Sequence, residues 1–283
     1  MGQERIIHAA LLGAGTVGSG VYKLVKDLEE EIVSKTGARL VVDKILVRDT
    51  TKAREGIPSE LLIDRWDEIL NDPKIEIVIE VMGGIRPALT WLEEALRAGK
   101  QVVTANKDLL AEYGEQLFDA AEAGKCDLHF EAAVAGAIPI IRPLRQSLAA
   151  SELTEVMGIV NGTTNYILTR MTEDGMGYEE ALALATKLGY AESDPTADVE
   201  GYDAGRKVAI MASIAFNSNV TFSQVYTEGI THITAEDIRY AKEFGYVIKL
   251  IGMTRLTEGG VEVKVHPMLL PEQHPLSTVR DSF

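Results

Sequence analysis

Apolar positions in the first half of the chain follow two alternating rhythms. Short apolar, β-branched runs at 6–12 (IIHAALL), 39–47 (RLVVDKILV), 75–82 (IEIVIEVM), 101–107 (QVVTANK) and 126–134 (CDLHFEAAV) read as strands. Between them apolar residues fall at helical spacing: in 17–34 Val17, Val21, Leu24, Val25 and Leu28 share one face. The segment 87–100 opens on Pro87, suited to a first helical turn, and closes near Gly99, suited to a C-terminal cap. A further helix is expected at 108–125. Strands alternating with helices specify an α/β fold with a Rossmann-like, doubly wound parallel sheet.

From about Ala137 the rhythm changes, which divides the chain into expected domains at 1–137 and 138–283. A helix is expected to start near Pro139, and 152–160 (ELTEVMGIV) reads as a strand. Asn161 and Gly162 then form a turn, with Thr163 placed to cap the next helix. An amphipathic helix at 178–190 stops at Gly189, and an apolar helix spans 202–216. Thr234 with Asp237 makes a capping box for a helix ending near Gly245. The runs 246–256 and 261–269, joined through 257–260, form an antiparallel hairpin. Strands and helices without regular alternation describe an α+β second domain.

Composition narrows the function. A length of 283 residues suits two domains, and 46% hydrophobic with 25% charged residues is ordinary for a globular protein. The formal net charge of −15 argues against nucleic acid, whose phosphates need a basic footprint. A single cysteine, Cys126, excludes an internal disulfide framework. No stretch has the features of a signal peptide or the length of a membrane span, so the expectation is a soluble, cytoplasmic protein.

The glycines of GAGTVG at 13–18 sit between the first strand and the first helix. There Gly13 permits the tight turn, Gly15 lets backbone approach a pyrophosphate, and Gly18 lets helix pack on strand. The helix N-terminus, with Thr16 and Val17, offers amides and partial positive charge to phosphates. A dinucleotide is the expected cofactor. After the second strand, Arg48 and Lys52 can embrace the 2′-phosphate of NADP, while Asp49 can serve the ribose of NAD; the reading leans to NADP. The five histidines are scattered, which offers no zinc site.

The stretch 191–207 (AESDPTADVEGYDAGRK) crowds Glu192, Asp194, Asp198, Glu200 and Asp203 ahead of an apolar helix. Asp203 and Lys207 are four apart and share a helix face, a spacing that also makes ordinary surface ion pairs. Two features favour chemistry. A lysine on a buried helix needs a reason, and the acids before it could hold the ammonium of an amino-acid substrate. A lysine near a carbonyl can deliver a proton or steady a developing alkoxide.

Four stretches, GAGTVG (13–18), TANK (104–107), NGTTNYIL (161–168) and the acidic motif at 191–207, resemble the homoserine dehydrogenase family, and 229–252 continues the likeness. The resemblance implies an NAD(P)-dependent oxidoreductase that interconverts L-aspartate 4-semialdehyde and L-homoserine, on the route to threonine and methionine. It implies that Lys207 is the proton donor, that Glu192, Asp203 and Asp198 bind substrate, and that Lys107 is a second lysine near cofactor and substrate. Gly162, Thr163 and Tyr190 would line the pocket, and Gly189 would touch the cofactor. It further implies a monovalent cation, sodium or potassium, held by Glu131 and the carbonyls of Val134, Gly136 and Ile138. A homodimer or higher oligomer is expected, in a monofunctional form. The family's sequences continue past STVRDSF, so a chain truncated at its C-terminus is also expected. Two other readings stay open: a related Rossmann oxidoreductase acting on another small carbonyl, and a nucleotide-binding protein without turnover.

Overall fold

The computed structural model describes residues 5–282; residues 1–4 and 283, the outer ends of the two expected domains, lie outside them. The chain forms two compact units, Met1–Ala133 and Val134–Phe283, dividing a few residues before the boundary expected from sequence.

The first unit runs β1 (Arg5–Leu12), α1 (Thr16–Asp27), α2 (Glu29–Thr36), β2 (Ala38–Leu46), β3 (Leu62–Ile63) and α3 (Asp67–Leu70). It continues through β4 (Ile75–Glu80), α4 (Ala88–Arg97), β5 (Gln101–Thr104), α5 (Lys107–Gly124) and β6 (Leu128–His129). Its sheet has the order β3-β2-β1-β4-β5-β6, and every pairing is parallel. Ala9, Leu11, Val42, Ile45 and Ile79 form a buried cluster on which Val21, Tyr22 and Val25 pack. The order reverses between β1 and β4, the point where an open α/β sheet leaves a crevice at its carboxyl edge. Leu46, Leu12, Glu80 and Thr104 stand in register along that edge.

Three expectations for this unit need correction. The long first helix breaks at Leu28 (φ −106°, ψ 21°) into α1 and α2. Its packing face is turned by one position: Val17 and Leu24 are exposed, while Gly18 is buried. Gly18 sets that rotation, because a Cβ there would overlap the carbonyl of Gly13. The fifth strand shrinks to β6, and Phe130, Ala133 and Val134 are buried beyond its end without joining the ladder. A short turn of 3-10 helix covers Glu131–Ala133. Conversely, β3 is a two-residue strand too brief for any periodicity to announce.

The second unit contains β7 (Glu155–Gly158), α6 (Gly162–Asp174), α7 (Tyr178–Lys187), α8 (Thr196–Val199), α9 (Tyr202–Ala215), β8 (Tyr226–Thr227), α10 (Ala235–Glu243), β9 (Tyr246–Thr257) and β10 (Gly260–Pro271). The sheet order is β7-β9-β10-β8, built on the expected hairpin, which pairs from Thr257–Gly260 to Tyr246–Pro271. Helix α9 packs on β9 and β10 through a nearly all-apolar run, Val208 to Ala212. Gly252 of β9 makes that approach possible, since a Cβ there would collide with Val208. The capping box at Thr234 and Asp237 is present. The helix expected from Pro139 is instead a single wide turn at Pro143–Ser147. Two prolines remove amide donors there, so a regular helix cannot propagate.

Candidate functional site

In the first unit the glycine turn has the geometry of a phosphate cradle. Gly13 adopts φ +100° and donates its N–H to the Leu46 carbonyl at 3.0 Å, which ties the turn to β2. A side chain at Gly13 would press on Met82, whereas a Cβ at Gly15 meets nothing within 4 Å. Gly15 therefore opens onto free space where a ligand can approach. It is also the N-cap of α1, which has neither a side-chain cap nor an acid in its first turn. Thr16 and Val17 at this end are exposed. An unfilled helix N-terminus beside a glycine that needs no space suits an anion.

The loop after β2 holds the residues expected to discriminate between NAD and NADP. Asp49 Oδ1 accepts from the Thr51 amide (2.9 Å) and hydroxyl (2.6 Å), and these bonds hold its carboxyl below the usual range. Arg54 braces the same loop by donating to the carbonyls of Asp49 and Lys52. Arg48 and Lys52 are exposed, and among the described residues neither side chain has a partner. Basic side chains are thus available where the acid is already engaged.

Lys107 opens α5, directly after its N-cap Asn106. The sequence gives no reason to single out Glu80, yet this carboxylate is fully buried at the end of β4. Its Oε1 accepts from the amides of Met82 (2.9 Å) and Gly83 (3.0 Å), and its Oε2 from the Thr104 hydroxyl (2.6 Å). The available signal is faint: an acid that follows the apolar run Ile77, Val78 and Ile79 in a parallel strand, where burial on both faces is the rule.

In the second unit the acidic loop and α9 converge. Lys207 Nζ lies 2.6 Å from Asp203 Oδ2 and donates to the Val160 carbonyl at 2.8 Å. Asn161, expected from sequence only to turn the chain, ties this site together. Its Nδ2 donates to Asp198 (2.7 Å) and to Asp203 (3.0 Å), so one amide bridges both acids. Its Oδ1 accepts from the Thr164 amide at 2.8 Å, making Asn161, and not Thr163, the cap of α6. Thr163 donates instead to the Tyr190 carbonyl at 2.8 Å. Burial is the main cause that pushes the Asp198 carboxyl up; the bond from Asn161 opposes it, and the Asp203 charge adds to it.

The remaining residues are placed less tightly. Glu192 is exposed and, among the described residues, makes no hydrogen bond or ion pair, so its carboxylate is uncommitted. Tyr190 is exposed, with its ring 4.7 Å from that of Tyr166, and Gly189 turns the chain at φ +80°. Gly162 is crossed by the segment 279–282: a Cβ on it would overlap the Ser282 carbonyl. Asp194 is occupied locally, accepting from the Thr196 amide at 3.1 Å, and therefore shapes the loop. No cluster of three or more His, Cys, Asp or Glu able to hold a metal exists among the described residues. Carbonyl ligation would not form such a cluster, and around Gly136 both Ala135 (φ +47°) and Ala137 (φ +67°) hold left-handed backbone. Two alanines in that region carry strain that a ligand could offset.

These motifs have counterparts in known proteins. The family model described as homoserine dehydrogenase matches residues 139–283, and the one described as homoserine dehydrogenase, NAD binding domain, matches 13–131. The chain is 47% identical over 280 residues to the homoserine dehydrogenase of Bacillus subtilis, covering 99% of this chain and 65% of that protein. It is 50% identical over 287 residues to that of Mycobacterium bovis, with 100% and 65% covered. The crystal structure of a homoserine dehydrogenase from Thiobacillus denitrificans superposes with a TM-score of 0.92 at 44% identity, covering 98% of this chain and 64% of that one. The chain thus spans a little under two thirds of the length of these relatives.

Proposed function

This chain belongs to the homoserine dehydrogenase family, and we propose that it interconverts L-aspartate 4-semialdehyde and L-homoserine with NADP(H). The observation that carries the reading is the Lys207–Asp203–Asn161–Asp198 cluster, a lysine held by a carboxylate and a carbonyl beside a second, half-buried acid. A bound reduced nicotinamide would supply the hydride to the aldehyde carbon. Lys207 gives its proton to the aldehyde oxygen as that bond is reduced to an alcohol, and solvent reprotonates the amine. Asp203 and the Val160 carbonyl hold Lys207 in place until then. Asp198 and Asp203, with the uncommitted Glu192, hold the substrate ammonium so that the aldehyde meets the amine. Gly162, Thr163 and Tyr190 shape the surface around it. Lys107 acts as a second cation that polarises the substrate.

On the cofactor side, Gly13, Gly15 and Gly18 with Thr16 and Val17 receive the pyrophosphate, and Gly189 makes a further contact. The preference for NADP over NAD rests on the exposed Arg48 and Lys52 and on the engagement of Asp49 by Thr51. A sodium or potassium ion would be held by Glu131 and the carbonyls of Val134, Gly136 and Ile138, a role supported by the left-handed alanines between those carbonyls. Its role would be structural. The exposed Tyr226, Leu256 and Leu269 on the strands of the second sheet support assembly with another copy of the chain. The place of action would be the cytoplasm, in threonine and methionine biosynthesis.

The test is NADPH oxidation by this chain with aspartate semialdehyde, with NADH and a sugar aldehyde as parallel arms. Oxidation confined to the semialdehyde, and faster with NADPH, is the expected result. Equal rates with the sugar aldehyde would favour the broader carbonyl oxidoreductase. Equal rates with NADH would overturn the role given to Arg48 and Lys52.

A further inference from the structure

Leu46, Leu12, Glu80 and Thr104 form the last row of the first sheet, and half of that row is polar yet buried. An unpaired carboxylate there would be costly, so its bonds must matter to the fold or to the site. Each bond of Glu80 leads to a segment at the carboxyl edge. Through Oε1 it fixes the amides of Met82 and Gly83, in the turn on which Gly13 packs. Through Oε2 it accepts from Thr104, whose Oγ1 in turn accepts the Asn106 amide at 3.0 Å. Asn106 then spans the gap in both directions. Its Nδ2 donates to the Gly84 carbonyl at 2.7 Å, and its Oδ1 accepts from the Leu109 amide at 3.2 Å to cap α5. The loop is closed: Glu80, Thr104, Asn106, Gly84 and back.

We propose that Glu80 is a positioning residue, which through Thr104 and Asn106 couples the glycine turn of the cofactor cradle to the start of α5 and so fixes Lys107. The proposal rests on the functional reading above for the role of Lys107. It accounts for three of the four TANK residues: Thr104 and Asn106 are the coupling, and Lys107 is what they aim. Glu80 acts on the reaction only through these groups, and it keeps the 82–84 turn and α5 in one fixed relation.

Removing Glu80 would orphan two amides and invite unfolding, so the informative variants are at Thr104. Thr104→Val keeps the shape but breaks the bond to Glu80 and the acceptor for Asn106, whereas Thr104→Ser restores both. In Thr104→Val, kcat for semialdehyde reduction should fall by about tenfold to a hundredfold, the usual cost of a slightly misplaced group. The NADPH dissociation constant, read by nucleotide fluorescence, should stay within about threefold, because Glu80 still holds the turn. Amide exchange at Met82 and Gly83, beyond the end of the neighbouring strand, should still quicken, because Glu80 loses the Thr104 bond that anchors it. Thr104→Ser should match wild type in all three. Unchanged kcat together with exchange confined to Asn106 would overturn the proposal. If the wild-type chain binds NADPH but reduces no semialdehyde, the functional reading fails, and exchange at Met82 and Gly83 alone decides the coupling.

Discussion

Asn161 shows how one side chain can serve a fold and a site together. It caps α6 and presents its amide to two carboxylates that would otherwise repel each other. Asp198 carries the cost of this arrangement, since burial raises its pKa. A raised carboxyl binds more protons folded than unfolded, so its charge destabilises the fold as pH climbs above the unfolded value of 3.8. Asp198→Asn keeps an acceptor for Asn161 without that charge. The variant should melt at a higher temperature than wild type, with KM for the semialdehyde raised about tenfold or more, the worth of one charge-assisted hydrogen bond. Calorimetry and steady-state kinetics on one preparation check both. A variant that melts lower, or binds substrate as well as wild type, contradicts the role of Asp198.

At the scale of elements, the sequence was informative wherever a pattern repeats and silent where a contact is tertiary. The strands β1, β2, β4 and β5, the glycine turn and the β9–β10 hairpin follow from periodicity and turn residues. The rotation of α1 does not, because it is set by the contact between Gly18 and the Gly13 carbonyl. Nor does the early end of β6, where Phe130, Ala133 and Val134 are buried without extending the ladder. In the site, the Asp203–Lys207 spacing was legible, but the bridge through Asn161 joins residues far apart in the chain. Lys249 on β9 is a further buried group that patterning hides. The residue is 3% exposed, and its ammonium donates to Asn165 Oδ1 on α6 (2.8 Å) and to the Val279 carbonyl (2.6 Å). Burial lowers its pKa from 10.5 to about 8, with the Asp281 charge opposing. The folded state therefore binds fewer protons than the unfolded state between those values, and stability rises with pH across that window. The burial penalty, present in full below about pH 8, is on the order of 3 kcal/mol. Urea midpoints at pH 7 and pH 9.5 should show the rise in wild type and lose it in Lys249→Met. An equally steep rise in the variant would exclude Lys249 as its source.

The whole molecule divides its labour between two units of different construction. The first is a parallel sheet whose carboxyl edge gathers a glycine cradle, basic side chains after β2 and the start of α5. The second is a mixed sheet carrying helices whose ends gather acids around a lysine. Among the described residues no helix is long and apolar enough to cross a membrane. On the proposed reading, the first unit would receive the nucleotide and the second would supply a proton and an ammonium site. The most direct measurement compares NADPH oxidation by wild type and by Lys207→Ala at saturating semialdehyde, with NADPH affinity measured in parallel. In the variant kcat should fall by about a hundredfold or more, the range for loss of a general acid, with NADPH affinity unchanged. A variant that keeps turning over at the wild-type rate would contradict it.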